Sequence, residues 1–149
     1  MSYFRVISAV YIIMRDGNKV LLLQRNNTGY HDGNFSLPAG HVDGGEKLND
    51  ASVREAKEEL GISINATALR LVHVMHRKSD KQSNDNERLD FYFEADSWSG
   101  EVSNMEPEKC SSLVWCAIDE LPANMVPTVR SALSSVGSGD LYSNSGWNN

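Results

Sequence analysis

Apolar positions are crowded into a few short runs separated by polar, glycine-bearing stretches. Residues 4–14 (Phe-Arg-Val-Ile-Ser-Ala-Val-Tyr-Ile-Ile-Met) are dense in β-branched and aromatic side chains and predict a buried strand. Asp16-Gly17-Asn18 is a turn signal of the Asp-Gly type, and 19–24 (Lys-Val-Leu-Leu-Leu-Gln) returns as a second strand. The polar stretch 25–34 is a loop. Residues 35–38 (Phe-Ser-Leu-Pro) are short and extended, because the residue before proline avoids the helical region. From 48 to 60 leucine, alanine, arginine, glutamate and lysine dominate without a glycine or proline, which predicts a helix stopped by Gly61 in the C-cap position. Strands are expected at 67–77 and 88–95, split by a polar loop at 78–87, and again at 113–118. A second helix is expected at 125–136, with Pro127 tolerable only in its first turn. The Gly/Ser/Asn-rich end, 137–149, reads as a flexible tail, leaving 1–136 as a single domain. Strands interrupted by one central and one terminal helix predict an α/β (α+β) arrangement, a mixed sheet with helices on its faces.

Length and composition agree with that picture. At 149 residues the chain is about one domain long, enough to bury a core without staples. Apolar residues make up 40% and charged residues 23%, ordinary globular usage. The net charge of −6 disfavours coating nucleic acid through a basic face, so a phosphate-bearing substrate would need local cations or a metal. Two cysteines, Cys110 and Cys116, do not make a disulfide framework, and their even spacing places them on one face of a strand. They read as small buried side chains in a reduced, cytoplasmic protein. The first residues lack the charged-then-apolar plan of a signal peptide, and no apolar run approaches the ~20 residues of a membrane helix.

The chemistry lies between Gly40 and Ile62. On a helix at about 100° per residue, Glu55, Glu58 and Glu59 share one face, while Val53, Ala56 and Leu60 share another. Three carboxylates within a turn repel one another by a few tenths of a kcal/mol per pair, and near a helix C-terminus the dipole disfavours them further. Arg54 is the one fixed cation inside the cluster, with Lys57 turned aside. A hard divalent cation would neutralise such a set, and Mg²⁺ takes oxygen ligands while keeping waters for a phosphate to displace. A solvated acidic helix face is the alternative.

The spacing resembles the full Nudix signature, G-x5-E-x7-R-E-U-x-E-E-x-G-U with U aliphatic. Its specified positions are Gly40, Glu46, Arg54, Glu55, Ala56, Glu58, Glu59, Gly61 and Ile62, with Ala56 the smallest residue that fits its aliphatic slot. The resemblance implies an α/β/α sandwich with a mixed sheet and a loop–helix–loop that holds metal. It implies Glu55, Glu58 and Glu59 as ligands of Mg²⁺ or Mn²⁺, with the backbone carbonyl of Gly40 as another. It implies that Arg54 orients a carboxylate, that Glu46 ties the loop to the helix, and that Gly61 serves the turn. Read without the family, the glycines are turn residues and Glu46 a charge near a helix start. His41 stands where many members carry another residue. Members cleave a diphosphate linked to another moiety. Metal ions neutralise developing charge and help deprotonate water, and a carboxylate takes the proton. That base is a box glutamate or one on a later loop, where Glu106 and Glu108 are the candidates; the alternative is a pair of exposed loop charges.

Marks of several subfamilies are missing. No proline lies in Lys78-Ser79-Asp80-Lys81, where ADP-ribose hydrolases often carry one, nor is there the tyrosine of the diadenosine-polyphosphate enzymes. The upstream motif of the coenzyme A group is not evident in 21–40. A MutT-like hydrolase of nucleoside triphosphates, releasing monophosphate and pyrophosphate, is the default; the alternatives are a hydrolase of a nucleotide sugar or other diphosphate-linked compound, and a non-catalytic nucleotide-binding sensor. Asn124, before the last helix, is a candidate for a base edge or else an N-cap. Arg25 is a candidate for phosphate, and Tyr30 or Phe35 for stacking on a base; a surface arginine and a core aromatic are the alternatives. His73 and His76 are three apart on a strand and point to opposite sides, so no zinc site is expected. The expected partner is a small-molecule nucleotide, with neither nucleic acid nor membrane, for a monomer or homodimer.

Overall fold

The computed structural model describes residues 2–79 and 86–147. Strand β1 (Ile7–Asp16) runs through the centre, and residues 9–14 are buried without a break. Alternate side chains explain why the run is apolar throughout. Tyr11 and Ile13 enter one core with Val129, Ala132 and Leu133, whereas Ile12 and Met14 enter another with Ala56 and Leu60. A strand covered by a helix on each side has no solvent face on which to place polar residues. The helices are α1 (Leu48–Leu60) and α2 (Pro127–Gly137).

Among the described residues, strands β2 (Lys19–Arg25), β3 (Phe35–Ser36), β4 (Ala39–His41), β5 (Arg70–Lys78), β6 (Glu87–Ala95), β7 (Cys110–Ala117) and β8 (Tyr142–Ser145) complete an eight-stranded mixed sheet. β1 pairs parallel with β6 and antiparallel with β4 and β2; β2 carries β3 and β7 on its sides. The hairpin between β1 and β2 turns at Gly17, at φ +62°, as the Asp-Gly pair predicts. Helix α1 matches its predicted bounds, and Gly61 ends it in the left-handed conformation at φ 71° with its N–H on Lys57 O. Pro127 takes the first turn of α2, which spans 127–137 rather than 125–136. Among the described residues no helix is long and apolar enough to cross a membrane.

Two expectations are corrected. Residues 142–147 are not a free tail, since β8 pairs parallel with the edge of β5, Val74 opposite Tyr142. Buried His73 fixes it, through Nδ1 to Asp140 O at 2.8 Å and Nε2 to Ser143 Oγ at 2.7 Å. Trp147 adds an Nε1 hydrogen bond to His76 O at 3.1 Å, with its ring 4.7 Å from the His76 ring. The Gly/Ser/Asn composition has little strand preference of its own; an open sheet edge supplies the partner. Likewise Cys110 and Cys116 do not share a face. A bulge opposite Gln24 and Arg25 inserts a residue, so Cys110 turns with Leu113 toward the cavity described below while Cys116 packs in the α2-side core. Both cysteines are free.

Candidate active site

One residue joins the loop before α1 to the helix. Arg54 donates from Nε and Nη2 to Glu46 (3.1 and 2.8 Å), from Nη2 to His41 O (3.0 Å), and from Nη1 to Glu55 Oε1 (2.8 Å). Glu58 lies 3.3 Å from Nη1 on the next turn. Glu46 also accepts the Asp43 N–H at 2.8 Å, closing the glycine-bearing loop. The Arg54 bonds, and then that N–H, hold the Glu46 carboxyl below the ordinary carboxylate range.

The carboxylates of α1 sit in three environments. Glu55 is buried, and its pKa is raised, first by burial and only partly offset by Arg54. Glu59 is raised well above the usual value by burial and then by the charges of Glu55, Glu106 and Glu58; the Ala39 N–H, 3.0 Å from its Oε2, opposes this. Glu58 is half-exposed. Gly40 borders the cluster so closely that a Cβ there would fall on the Glu55 carboxyl group. Gly40→Ala is therefore expected to displace Glu55, lower stability by about 1–3 kcal/mol and cut turnover; thermal melts with steady-state rates check both.

The fourth carboxylate arrives on a separate loop, for a local reason. The last carbonyls of a helix lack intrahelical donors. Here Leu60 O accepts from Ser103 N at 3.0 Å and Glu59 O from Met105 N at 3.1 Å. Asn104 braces the turn, accepting from Glu106 N at 3.1 Å and donating to Cys110 O at 2.7 Å. Glu106 is thereby held against the C-terminal end of α1 and lines the same cavity as Glu55, Glu58 and Glu59. That cavity measures about 690 Å³, within the range of ligand pockets.

The other predicted residues divide. Arg25 and Tyr30 line the cavity. Arg25 is already engaged, donating to Tyr30 O at 2.6 Å and Thr28 Oγ1 at 2.9 Å, with its guanidinium 5.1 Å from the Tyr30 ring. Asp32 braces that loop and accepts from the Thr28 and Gly29 N–H groups. Phe35, Asn124 and Glu108 are not among the residues that line the cavity. Phe35 and Asn124 instead fasten β3 to the approach of α2: Phe35 N donates to Asn124 O at 2.8 Å, and the Asn124 side chain donates to Gly33 O at 3.0 Å. Nor is Asn124 the helix cap, a place taken by Val126. Glu108 is exposed and contributes its backbone carbonyl to Asn27 at 3.3 Å. The sequence reading missed Arg77, Arg88, Tyr11 and Lys109, which also line the cavity. The signal available was the run of basic residues at the adjoining ends of two predicted strands, which is visible as a site only once those strands are paired.

The oxygen donors and their under-compensated charge fit a hard divalent cation. Among the described residues, no three His, Cys, Asp or Glu side chains are gathered around one point as a metal cluster. Arg54 draws Glu55 and Glu58 onto its guanidinium, and the Ala39 N–H holds Glu59, so the carboxylates are near one another without converging.

A NUDIX domain model matches residues 5–135, and the chain belongs to the Nudix hydrolase family. It is 43% identical over 60 residues to an ADP-ribose pyrophosphatase of Methanocaldococcus jannaschii, covering 40% of this chain and 35% of that protein. It is 30% identical over 124 residues to the NAD-capped RNA hydrolase NudC of Photobacterium profundum, covering 82% of this chain and 42% of that one. The chain thus spans less than half the length of these two curated relatives. A MutT Nudix hydrolase from Burkholderia pseudomallei superposes with a TM-score of 0.77 at 28% identity, covering 87% of this chain and 97% of that one. Nudix hydrolases act on nucleoside diphosphate derivatives and generally use a divalent cation such as Mg²⁺.

Proposed function

We propose that this protein is a Mg²⁺- or Mn²⁺-dependent hydrolase that cleaves a nucleoside triphosphate to a monophosphate and pyrophosphate. The observation that supports it is the meeting of Glu55, Glu58 and Glu59 of α1 with Glu106 of a separate loop in the lining of one cavity of nucleotide size. Glu55, Glu58 and Glu59, joined by the Gly40 carbonyl, would hold the cation, which would supply charge neutralisation on the phosphate oxygens and a more acidic water. Arg54 orients Glu55 and Glu58, and Glu46 and the His41 carbonyl in turn fix Arg54.

Among the four carboxylates, Glu106 is the one without a hydrogen bond to Arg54 or the Ala39 N–H. In this reading it accepts the proton of the attacking water. The water oxygen forms a bond to phosphorus as the bridging P–O bond breaks, and the electron pair leaves on the departing phosphate. Arg25 and Tyr30 organise the loop over the cavity rather than reacting.

Likeness to the ADP-ribose pyrophosphatase favours a second reading, in which the diphosphate joins a nucleoside to a sugar phosphate. Incubating the protein with nucleoside triphosphates, ADP-ribose and nucleotide sugars, with Mg²⁺, Mn²⁺ or EDTA, separates the two. Turnover of a triphosphate that EDTA abolishes is expected. Turnover of only a diphosphate-linked sugar transfers the reading to the second substrate class, and no turnover with either metal overturns both.

A further inference from the structure

The carboxylates occupy only part of the cavity. Away from them, Arg77 of β5 stands directly opposite Arg88 of β6 in the antiparallel ladder, and both side chains line the cavity wall. Like charges facing each other across a sheet are destabilising, and burial makes this worse. A fully buried carboxylate, Asp90, lies between them: Arg77 Nε donates to its Oδ2 at 2.5 Å. Arg88 Nε is 3.7 Å from the other oxygen, too far to bond. Among the described residues, Arg88 Nε and Asp90 Oδ1 have no hydrogen-bond partner. Two guanidinium groups thus share one carboxylate; Arg88 Nε and Asp90 Oδ1 are sealed from solvent and face each other, while the Arg88 side chain keeps 21% of its surface exposed for a ligand to meet.

The surroundings indicate what kind of acceptor the exposed part of Arg88 meets. Tyr11 lies in the cavity wall and is stacked on Tyr92, ring centroids 4.7 Å apart at 17°. Tyr30 is 38% exposed on the cavity rim, and Ile7 and Ala9 of β1 add apolar surface. A phosphate has no use for aromatic and aliphatic walls. A nucleobase does, and arginine forks match the oxygen and nitrogen acceptors on an oxo-base edge, whereas the exocyclic amino group of adenine points its own hydrogens at them.

We propose that Arg77 and Arg88, positioned by Asp90 and flanked by Tyr11 and Tyr30, form a base-recognition subsite. It accepts a carbonyl-bearing base edge and discriminates against adenine. The proposal rests on the reading of the ligand as a nucleotide, but binding is measured apart from turnover.

The test is calorimetric binding of ITP and ATP, which differ in carrying oxygen or an amino group at one purine position. Ca²⁺ replaces Mg²⁺, and the ligands are checked for integrity afterwards. Wild type is expected to bind ITP about tenfold more tightly than ATP, the low end of the discrimination one bidentate arginine contact gives. Arg88→Gln and Arg77→Gln are expected to bring that ratio to within about threefold of unity. Arg88→Lys is expected to do the same, because it keeps the charge and loses the fork. If the buried Arg77 variant does not fold, the two at the more accessible Arg88 suffice. Equal affinity of wild type for ITP and ATP overturns the proposal. So does a lysine variant that retains the preference, or an Arg88→Gln loss matched for inorganic pyrophosphate, which would make this an anion subsite. An intact ITP preference with no hydrolysis anywhere in the substrate panel contradicts the hydrolase reading alone; turnover with equal binding contradicts this subsite alone.

Discussion

Replacing Glu106 by glutamine is expected to lower kcat by roughly 10²–10⁴-fold, the usual contribution of a positioned general base, with little change in KM. The substitution keeps the shape of the side chain and removes its ability to take a proton. The loop should stay in place, because its supports are backbone and asparagine groups: Ser103 and Met105 N–H groups on α1 carbonyls, and Asn104 on Cys110 O. The melting temperature is therefore expected to stay near that of wild type. Glu108→Gln, two residues away, is the internal control. That residue is exposed and not among those lining the cavity, so activity within about twofold of wild type is expected. Equal losses in the two variants would mean that the loop's charge matters rather than a specific proton acceptor.

The second large effect is expected at Arg54. Arg54→Ala removes charge-assisted hydrogen bonds to Glu46 and Glu55, the bond to the His41 carbonyl and the contact with Glu58. It leaves Glu55, already under-solvated, beside Glu58 and Glu59 with no cation. Breaking a buried ion pair costs about 3–5 kcal/mol. The Arg54 side chain is 28% exposed, which places the expected loss at the lower end, about 3 kcal/mol. For a chain of this size that lowers Tm by roughly 6–12 °C. Arg54→Lys should recover only part of it, since one ammonium cannot serve Glu46, Glu55 and His41 O in the planes a guanidinium reaches. Added Mg²⁺ should raise the Tm of the alanine variant, because the cation supplies part of the lost positive charge. A variant melting like wild type would remove Arg54 from its role as the clamp.

Elements governed by local chemistry were legible before the structure. Helix α1 needs no long-range information: its composition sets its length, and Gly61 stops it in the left-handed conformation. The spacing of Glu55, Glu58 and Glu59 along that helix, with Gly40, Glu46 and Arg54, likewise carried the family and the acidic part of the candidate site. What was hidden depended on pairing. β8 is polar and glycine-flanked and exists because β5 offers it an edge. The bulge that separates the faces of Cys110 and Cys116 arises in the pairing of β2 with β7. Phe35 and Asn124 have the chemistry to hold a base, but neither is among the residues lining the cavity: Phe35 packs against the α2-side core and the Asn124 amide donates to Gly33 O. Arg77 and Arg88 are eleven positions apart in the chain and become neighbours only through the β5–β6 register.

The most direct test of the central claim is product identification by phosphorus NMR, following wild-type protein with a nucleoside triphosphate and Mg²⁺. Nucleoside monophosphate and pyrophosphate, formed in equal amounts and abolished by EDTA, are the predicted products. Orthophosphate with nucleoside diphosphate, or an unchanged substrate spectrum from folded protein across the nucleotides and both metals, would contradict the account.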